Sequence, residues 1–281
     1  MRKITRRTFL KLTALSLLFG KTSLFGGEME HSGRRKNYWK RGYIRQQTLD
    51  ASKIWEDKIK ARIDGKWKWY TIRELPPEFM EWNTKSRLED LENIKQRKPP
   101  SLHGPHSGMV ATYGAGRLDS EFTLNNAVKG MGFLPRKDIL PEKIKLLQDT
   151  MNSPFEEKIK ILQDLYKNPD LLDKKRQTSL ELYTTPEFET HTFLNLMENP
   201  VATVVFLDIP SYEIRTIAQL LDPNDPNLTE WERNAVEYVN LIHSYFHGEF
   251  PKKFITIIFH IIEVFDNSPG RKDAMGRRMV P

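Results

Sequence analysis

The residues best suited to chemistry lie near the C-terminal end. His243 and His247 are four apart, the spacing that puts two side chains on one face of a helix. The stretch "KKFITIIFHIIEVF" (252–265) follows, apolar almost throughout except for Thr256, His260 and Glu263. At i, i+4 and i+7 these three would form one polar stripe on a helix. Helices over 230–247 and 251–266, joined by a short turn, are expected to pack antiparallel and to bring His243 or His247 opposite His260 and Glu263. Two chemistries stay open. One is a metal site or a b-type haem held by His243, His247, His260 and Glu263, with help from His191 and Glu187 or Glu189 of "TPEFETH". The other is a buried hydrogen-bond network that fixes helix register, since an isolated buried charge is too costly to leave unpaired. The histidine pair is not the HExxH of zinc proteases, because Ser244 stands where that mechanism needs glutamate.

Other polar groupings are sparser. His103 and His106 of "LHGPHSG" lie in a Gly/Pro loop, able to touch a ligand or to sit as surface residues. "YGAGR" (113–117) lacks the second half of a dinucleotide-binding fingerprint. Asp208, Tyr212 and Arg215 flank an expected strand-to-helix junction and are candidate pocket residues. There is no G-x-S-x-G elbow and no Walker loop, so no catalytic residue is assigned and enzymatic activity stays open. The chain has no cysteine. It cannot by itself hold a cysteine-ligated iron–sulfur cluster, a c-type haem or a thiolate zinc site, and the cofactor is otherwise unspecified.

The elements that would position these residues read as mainly α, a bundle-like helical core with a small N-terminal β-hairpin and long irregular arms. Residues 27–48 are polar and basic, and read as a linker or arm. "IKARIDGKWKWYTI" alternates on either side of Asp64-Gly65, which predicts strands near 58–63 and 66–72 with Trp67 and Trp69 on one face. A helix is expected around 84–97, then a long loop over 99–118. Helices are expected near 120–129, 141–150, 154–166, 169–182, 186–197 and 211–221, several opened by proline. "VATVVFL" (201–207) reads as a strand. Thr229 and Glu232 form a capping box for the helix over 230–247, and Gly248 supplies its stop.

Charge separates the chain into parts. Net charge is +7 with 44 Lys/Arg against 37 Asp/Glu, but residues 1–26 supply six of the basic residues and no acid. The remainder is therefore almost neutral, which argues against nucleic acid as the partner. Residues 27–100 keep 18 basic against 12 acidic residues and hold Trp39, Trp55, Trp67, Trp69 and Trp82. Such a region suits an acidic partner subunit, a membrane surface or the chain's own acidic half.

The basic N-terminus carries a recognisable address. "TRRTFLK" (5–11), followed by the apolar run Leu12–Phe19, resembles a bacterial twin-arginine signal peptide, with Arg6, Arg7, Phe9, Leu10 and Lys11 on the motif. The apolar run is too short to span a bilayer. Three regions follow: residues 1–27 as this signal peptide, 28–100 as a basic Trp-rich extension, and 101–281 as a mainly helical domain. The resemblance implies export to the periplasm through the twin-arginine translocase. No A-x-A site is present near Gly26–Gly27, so a retained leader would leave the protein membrane-associated. The stretch "IRTIAQLLDPNDPNLTEWERNAVEYVNLI" (214–242) resembles the gluconate 2-dehydrogenase small-subunit family, whose members pair such a leader with a mostly helical body beside a flavin-bearing larger subunit. That resemblance implies an accessory subunit docked to a larger redox subunit, and it carries over no functional residue. A histidine-ligated metal or haem protein acting alone, and a structural envelope protein, are the other expectations.

Overall fold

A computed structural model describes residues 36–98, 101, 103–269 and 276–281. The chain divides into Met1–Lys36 and Asn37–Pro281, and apart from Lys36 all described residues belong to the second unit. The signal motif, Arg6 to Lys11, lies outside the described residues.

The mainly α, bundle-like expectation is overturned. Helix and strand each make up 31%, and the core is an antiparallel sheet. The strands are β1 (Trp39–Lys40), β2 (Tyr43–Ile44), β3 (Leu49–Asp50), β4 (Lys58–Ile63), β5 (Lys66–Thr71), β6 (Ser107–Thr112), β7 (Asn125–Gly130), β8 (Arg176–Glu181), β9 (Val201–Phe206), β10 (Tyr212–Leu221), β11 (Ile255–Asp266) and β12 (Arg277–Arg278). The helices are α1 (Pro77–Lys95), α2 (Leu140–Asp149), α3 (Phe155–Tyr166), α4 (His191–Glu198) and α5 (Glu230–His247).

The largest sheet runs β12-β11-β10-β9-β6-β7, with β8 also pairing β11. One face can be followed through the register: Lys129 and Ala127 of β7 oppose Gly108 and Val110 of β6. Val110 pairs Val204 of β9, Val204 pairs Ile214 of β10, and Ala218 of β10 pairs Phe259 of β11. Phe259 pairs Gln177 of β8, and Ile255 pairs Glu181. The two end strands then meet. Gly132 and Thr178 exchange backbone hydrogen bonds at 2.8 and 2.9 Å, and Lys129 reaches Glu181. The sheet thus closes into a barrel, which removes the exposed edges that a flat sheet would present.

Val110, Phe206, Ile257, Phe259 and Ile261 lie in the core on the followed face. Ile217, Leu221 and Ile258 face a second core, with residues of α2, α3, α5 and the β4–β5 hairpin. Both faces of β10 and β11 are therefore covered. That is why "ITIIFHIIEVFD" shows no sustained apolar–polar alternation and reads as a buried helix, while in "YEIRTIAQLL" the alternation is clear only over Tyr212–Arg215. Their Ile, Val, Thr and Phe content suits strands. The polar stripe of Thr256, His260 and Glu263 is accordingly not helical, and a β-bulge leaves Ile262 unpaired between His260 and Glu263. Similarly 125–130 and 176–181 are strands, and the resemblance stretch 214–242 is strand, turn and helix. The helix expected from 186 begins at His191.

Residues 37–48 are also not an irregular arm. Ile44 is buried and its N–H donates to Asp222 Oδ2 at 3.0 Å. Gln46 donates to Leu196 O and Ala218 O, and accepts from Leu220 N. The hairpin forms at Asp64-Gly65, whose φ values of 49° and 78° are those of a type I′ turn. Helix α5 carries the capping box at Thr229 and Glu232. Among the described residues no helix is long and apolar enough to cross a membrane.

Candidate functional site

The most unusual chemistry lies where β7 meets β8. On β8 three consecutive core-facing residues, Gln177, Ser179 and Glu181, are polar and buried beside Phe259, Ile257 and Ile255. Glu181 Oε2 accepts from Lys129 Nζ at 2.7 Å, with the two side chains 1% and 10% exposed. Its other oxygen accepts from Thr190 Oγ1 at 2.9 Å and from Thr184 Oγ1 at 3.3 Å. Thr190 in turn caps α4 by accepting from Phe193 N. A buried pair is stable only when its remaining lone pairs are also satisfied, and the threonines do this for Glu181. Gln177 is different. It is 1% exposed and both amide atoms lack a hydrogen-bond partner among the described residues. An unpaired buried amide is costly, so the polar stripe is incomplete at that point.

Around this seam several large apolar side chains are exposed among polar ones such as Asp119, Glu121, Asn126 and Glu187. Leu118, Phe122 and Leu124 of the preceding loop, Val128 of β7, and Tyr183 and Phe188 after β8 are all exposed. The guanidinium of Arg117 sits 5.4 Å from the Phe188 ring centroid, joining the two loops. Helix α4 anchors the region from inside: Asn195 accepts from Ala115 N and donates to Thr112 and to Thr123 O.

The histidines and Glu263 occupy three separate surroundings. His243 and His247 have ring centroids 4.8 Å apart at the end of α5, with His243 stacked on Phe250. Burial, and next the neighbouring His247, push the His243 imidazole down to about 4. His260 is fully buried on β11, where its Nε2 lies 3.0 Å from Gln219 Oε1, and Gln219 donates onward to Glu232 at 2.7 Å. Burial and then Arg176 hold His260 far below the ordinary imidazole range. Glu263 pairs with Arg215 at 3.3 Å and Arg278 at 3.4 Å. Among the described residues no group of three or more His, Asp or Glu side chains could hold a metal ion.

The remaining candidates also disperse. His191 Nε2 donates to Ala115 O at 3.0 Å, Glu189 accepts from Trp39 Nε1, and Glu187 lies in an exposed turn. His106 sits between Arg87 Nη1 at 3.1 Å from its Nδ1 and Asp90 Oδ2 at 3.2 Å from its Nε2. Arg87, itself buried, also donates to Asn83, Pro105 O and Met131 O, tying α1 to the barrel. His103 is a distant partner of Asp208, which accepts from Trp82 Nε1 at 3.0 Å. Tyr212 packs on Phe79 and Trp82. A separate cleft of about 730 Å³ lies at the N-terminus of α5, between Trp55, Lys137 and Trp231.

Reading the sequence missed Lys129, Glu181, Gln177 and Thr190. The available signal was the i, i+2 alternation of Gln177, Ser179 and Glu181, which marks one face of a strand. No protein-family model matches the chain, and no curated protein matches it significantly.

Proposed function

We propose that the chain is an exported accessory subunit. Its leader-like N-terminus addresses it to the periplasm, and the apolar face around the β7–β8 seam docks a larger redox subunit that brings the cofactor. The observation that carries the docking role is the set of exposed side chains Leu118, Phe122, Leu124, Val128, Tyr183 and Phe188 on two loops and one strand. Clustered exposed apolar side chains on neighbouring segments are a feature of interaction sites. The export and redox parts rest on the likeness of "TRRTFLK" to twin-arginine leaders, whose cargo travels folded with its cofactor or partner.

The test is co-purification from the native envelope after mild cross-linking. Wild type is expected to bring down a larger subunit, and F122E/V128K is expected to lose it while melting at the same temperature. A wild-type protein recovered only as a monomer or self-associated, or a variant that keeps the partner, overturns the proposal.

A further inference from the structure

The β3–β4–β5 sheet carries a second surface of different chemistry. Its inward residues Ile59 and Ala61 are fully buried, so the alternate residues face outward. On that outer face Lys60 pairs with Trp69, Arg62 with Trp67, and Lys58 with Thr71. Residues 58–71 hold five basic side chains, of which Lys58, Lys60 and Arg62 share this outer face while Lys66 and Lys68 pair with Ile63 and Ala61 on the other, and one acid, Asp64; on β3 Asp50 stands opposite Lys60. Asp64 is turned to the body, where it accepts from Tyr113 OH at 2.9 Å and Asn199 Nδ2 at 3.2 Å. Among the described residues, none of the five cations makes an ion pair within 4 Å.

Two large aromatics sit in this basic field and stay in solvent: Trp67 is 45% exposed and Trp69 is 41% exposed. Lys60 Nζ lies 5.5 Å from the Trp67 ring centroid and 5.8 Å from that of Trp69, and Lys53 Nζ lies 5.7 Å from Trp69. This layout discriminates between anionic partners. Stacking a nucleic-acid base needs an open ring face, and here lysine ammonium groups already occupy ring face on both indoles and compete for it. An indole beside long-stemmed cations is instead the arrangement found at a bilayer interface. The ring sits at headgroup depth while the ammonium and guanidinium groups stay at the phosphates.

We propose that the outer face of the β3–β4–β5 sheet is a docking surface for an anionic bilayer, with Trp67 and Trp69 seated among the headgroups and Lys58, Lys60 and Arg62 on the lipid phosphates. The surface is remote in sequence from the β7–β8 seam and does not depend on the identity of any partner docked there. It would hold the folded body at a membrane whether or not residues 1–26 are retained.

Vesicle binding by the full chain tests this, using phosphatidylglycerol-containing vesicles against pure phosphatidylcholine ones. Each cation near an anionic surface contributes roughly fivefold in partitioning. The triple variant K58Q/K60Q/R62Q is therefore expected to bind anionic vesicles about a hundredfold more weakly, and high salt to have a similar effect on wild type. W67S/W69S is expected to lose binding by at least about tenfold and to lose the blue shift of tryptophan emission on vesicle addition. Both variants carry the same N-terminus as wild type. Unchanged binding by both therefore assigns the affinity to residues 1–26 and overturns the proposal. Equal binding to both vesicle types overturns it as well. So does a single-stranded oligonucleotide that displaces the protein from vesicles and binds more tightly than they do.

Discussion

The β7–β8 seam and the outer face of the β4–β5 hairpin are built on lysine, yet they treat its charge in opposite ways. Lys129 is nearly excluded from water, and its ammonium is matched by Glu181, whose oxygens are further held by Thr184 and Thr190. Lys60 keeps its charge at the surface, beside the Trp67 and Trp69 indoles and cross-strand from Asp50 of β3, and closes no ion pair among the described residues. Burial forces pairing because an isolated buried charge costs several kcal/mol. Solvent removes that demand and leaves surface cations available to an external anion. Charge in the first region serves the fold, and in the second it serves recognition. Breaking each region should therefore move a different observable.

The largest expected effect is at the seam. Lys129→Met strands Glu181 in the barrel and should cost about 3–5 kcal/mol of unfolding free energy in urea titration. The double replacement K129M/E181L should recover most of that loss, since a packed apolar pair is often no worse than a buried ion pair. A single variant that costs less than about 1 kcal/mol would falsify the view that the pair is effectively desolvated.

Next comes the joint between the two regions. Gly114 has φ of +122°, and a Cβ there would overlap the side chain of Asn199. Asn199 holds Asp64 of the hairpin turn. Gly114→Ala should thus cost about 1–3 kcal/mol in thermal unfolding, and should broaden amide signals at Asp64 more than at Lys129. Equal perturbation of both positions would separate Gly114 from the hairpin.

A smaller effect is expected from pH. His106, His243, His247 and His260 all have imidazoles held below the ordinary range, chiefly by burial. The unfolded chain therefore binds protons more readily than the folded one. Stability is full above about pH 6.5 and falls as the pH drops through the folded values, that of His243 being about 4. Melting temperatures measured from pH 7 to 4 should decline, and H243Q/H247Q should decline less steeply. A flat profile in wild type would mean these histidines titrate as they do in the unfolded chain. The smallest effect belongs to the hairpin face: W67S/W69S should change unfolding free energy by less than about 1 kcal/mol while changing vesicle binding.

Legibility in the sequence followed the locality of the signal. Asp64-Gly65 announced the hairpin because its positive-φ turn is encoded in two adjacent residues. Thr229 and Glu232 announced α5 because a capping box closes within four residues. The barrel was hidden because β11 is apolar on most of both faces, so period-2 alternation disappears and the pattern imitates a buried helix, and because Pro210 ahead of β10 suits the first turn of a helix although Tyr212–Arg215 alternate. The seam was hidden for another reason. Lys129 and Glu181 are far apart in the chain, and only closure of the sheet makes them neighbours.

By itself, then, the sequence determined the short-range features: the hairpin with Trp67 and Trp69 on one face, the helix over 230–247, the absence of any thiolate site, and the concentration of excess positive charge in residues 1–26. Tertiary structure alone decided that Tyr212–Leu221 and Ile255–Asp266 are strands, that His243, His247, His260 and Glu263 go to three different surroundings, and that a lysine and a glutamate seal the barrel. The physical reason is that turn and cap energies depend on residues a few positions apart, whereas the choice between strand and helix for an all-apolar run depends on what covers its two faces.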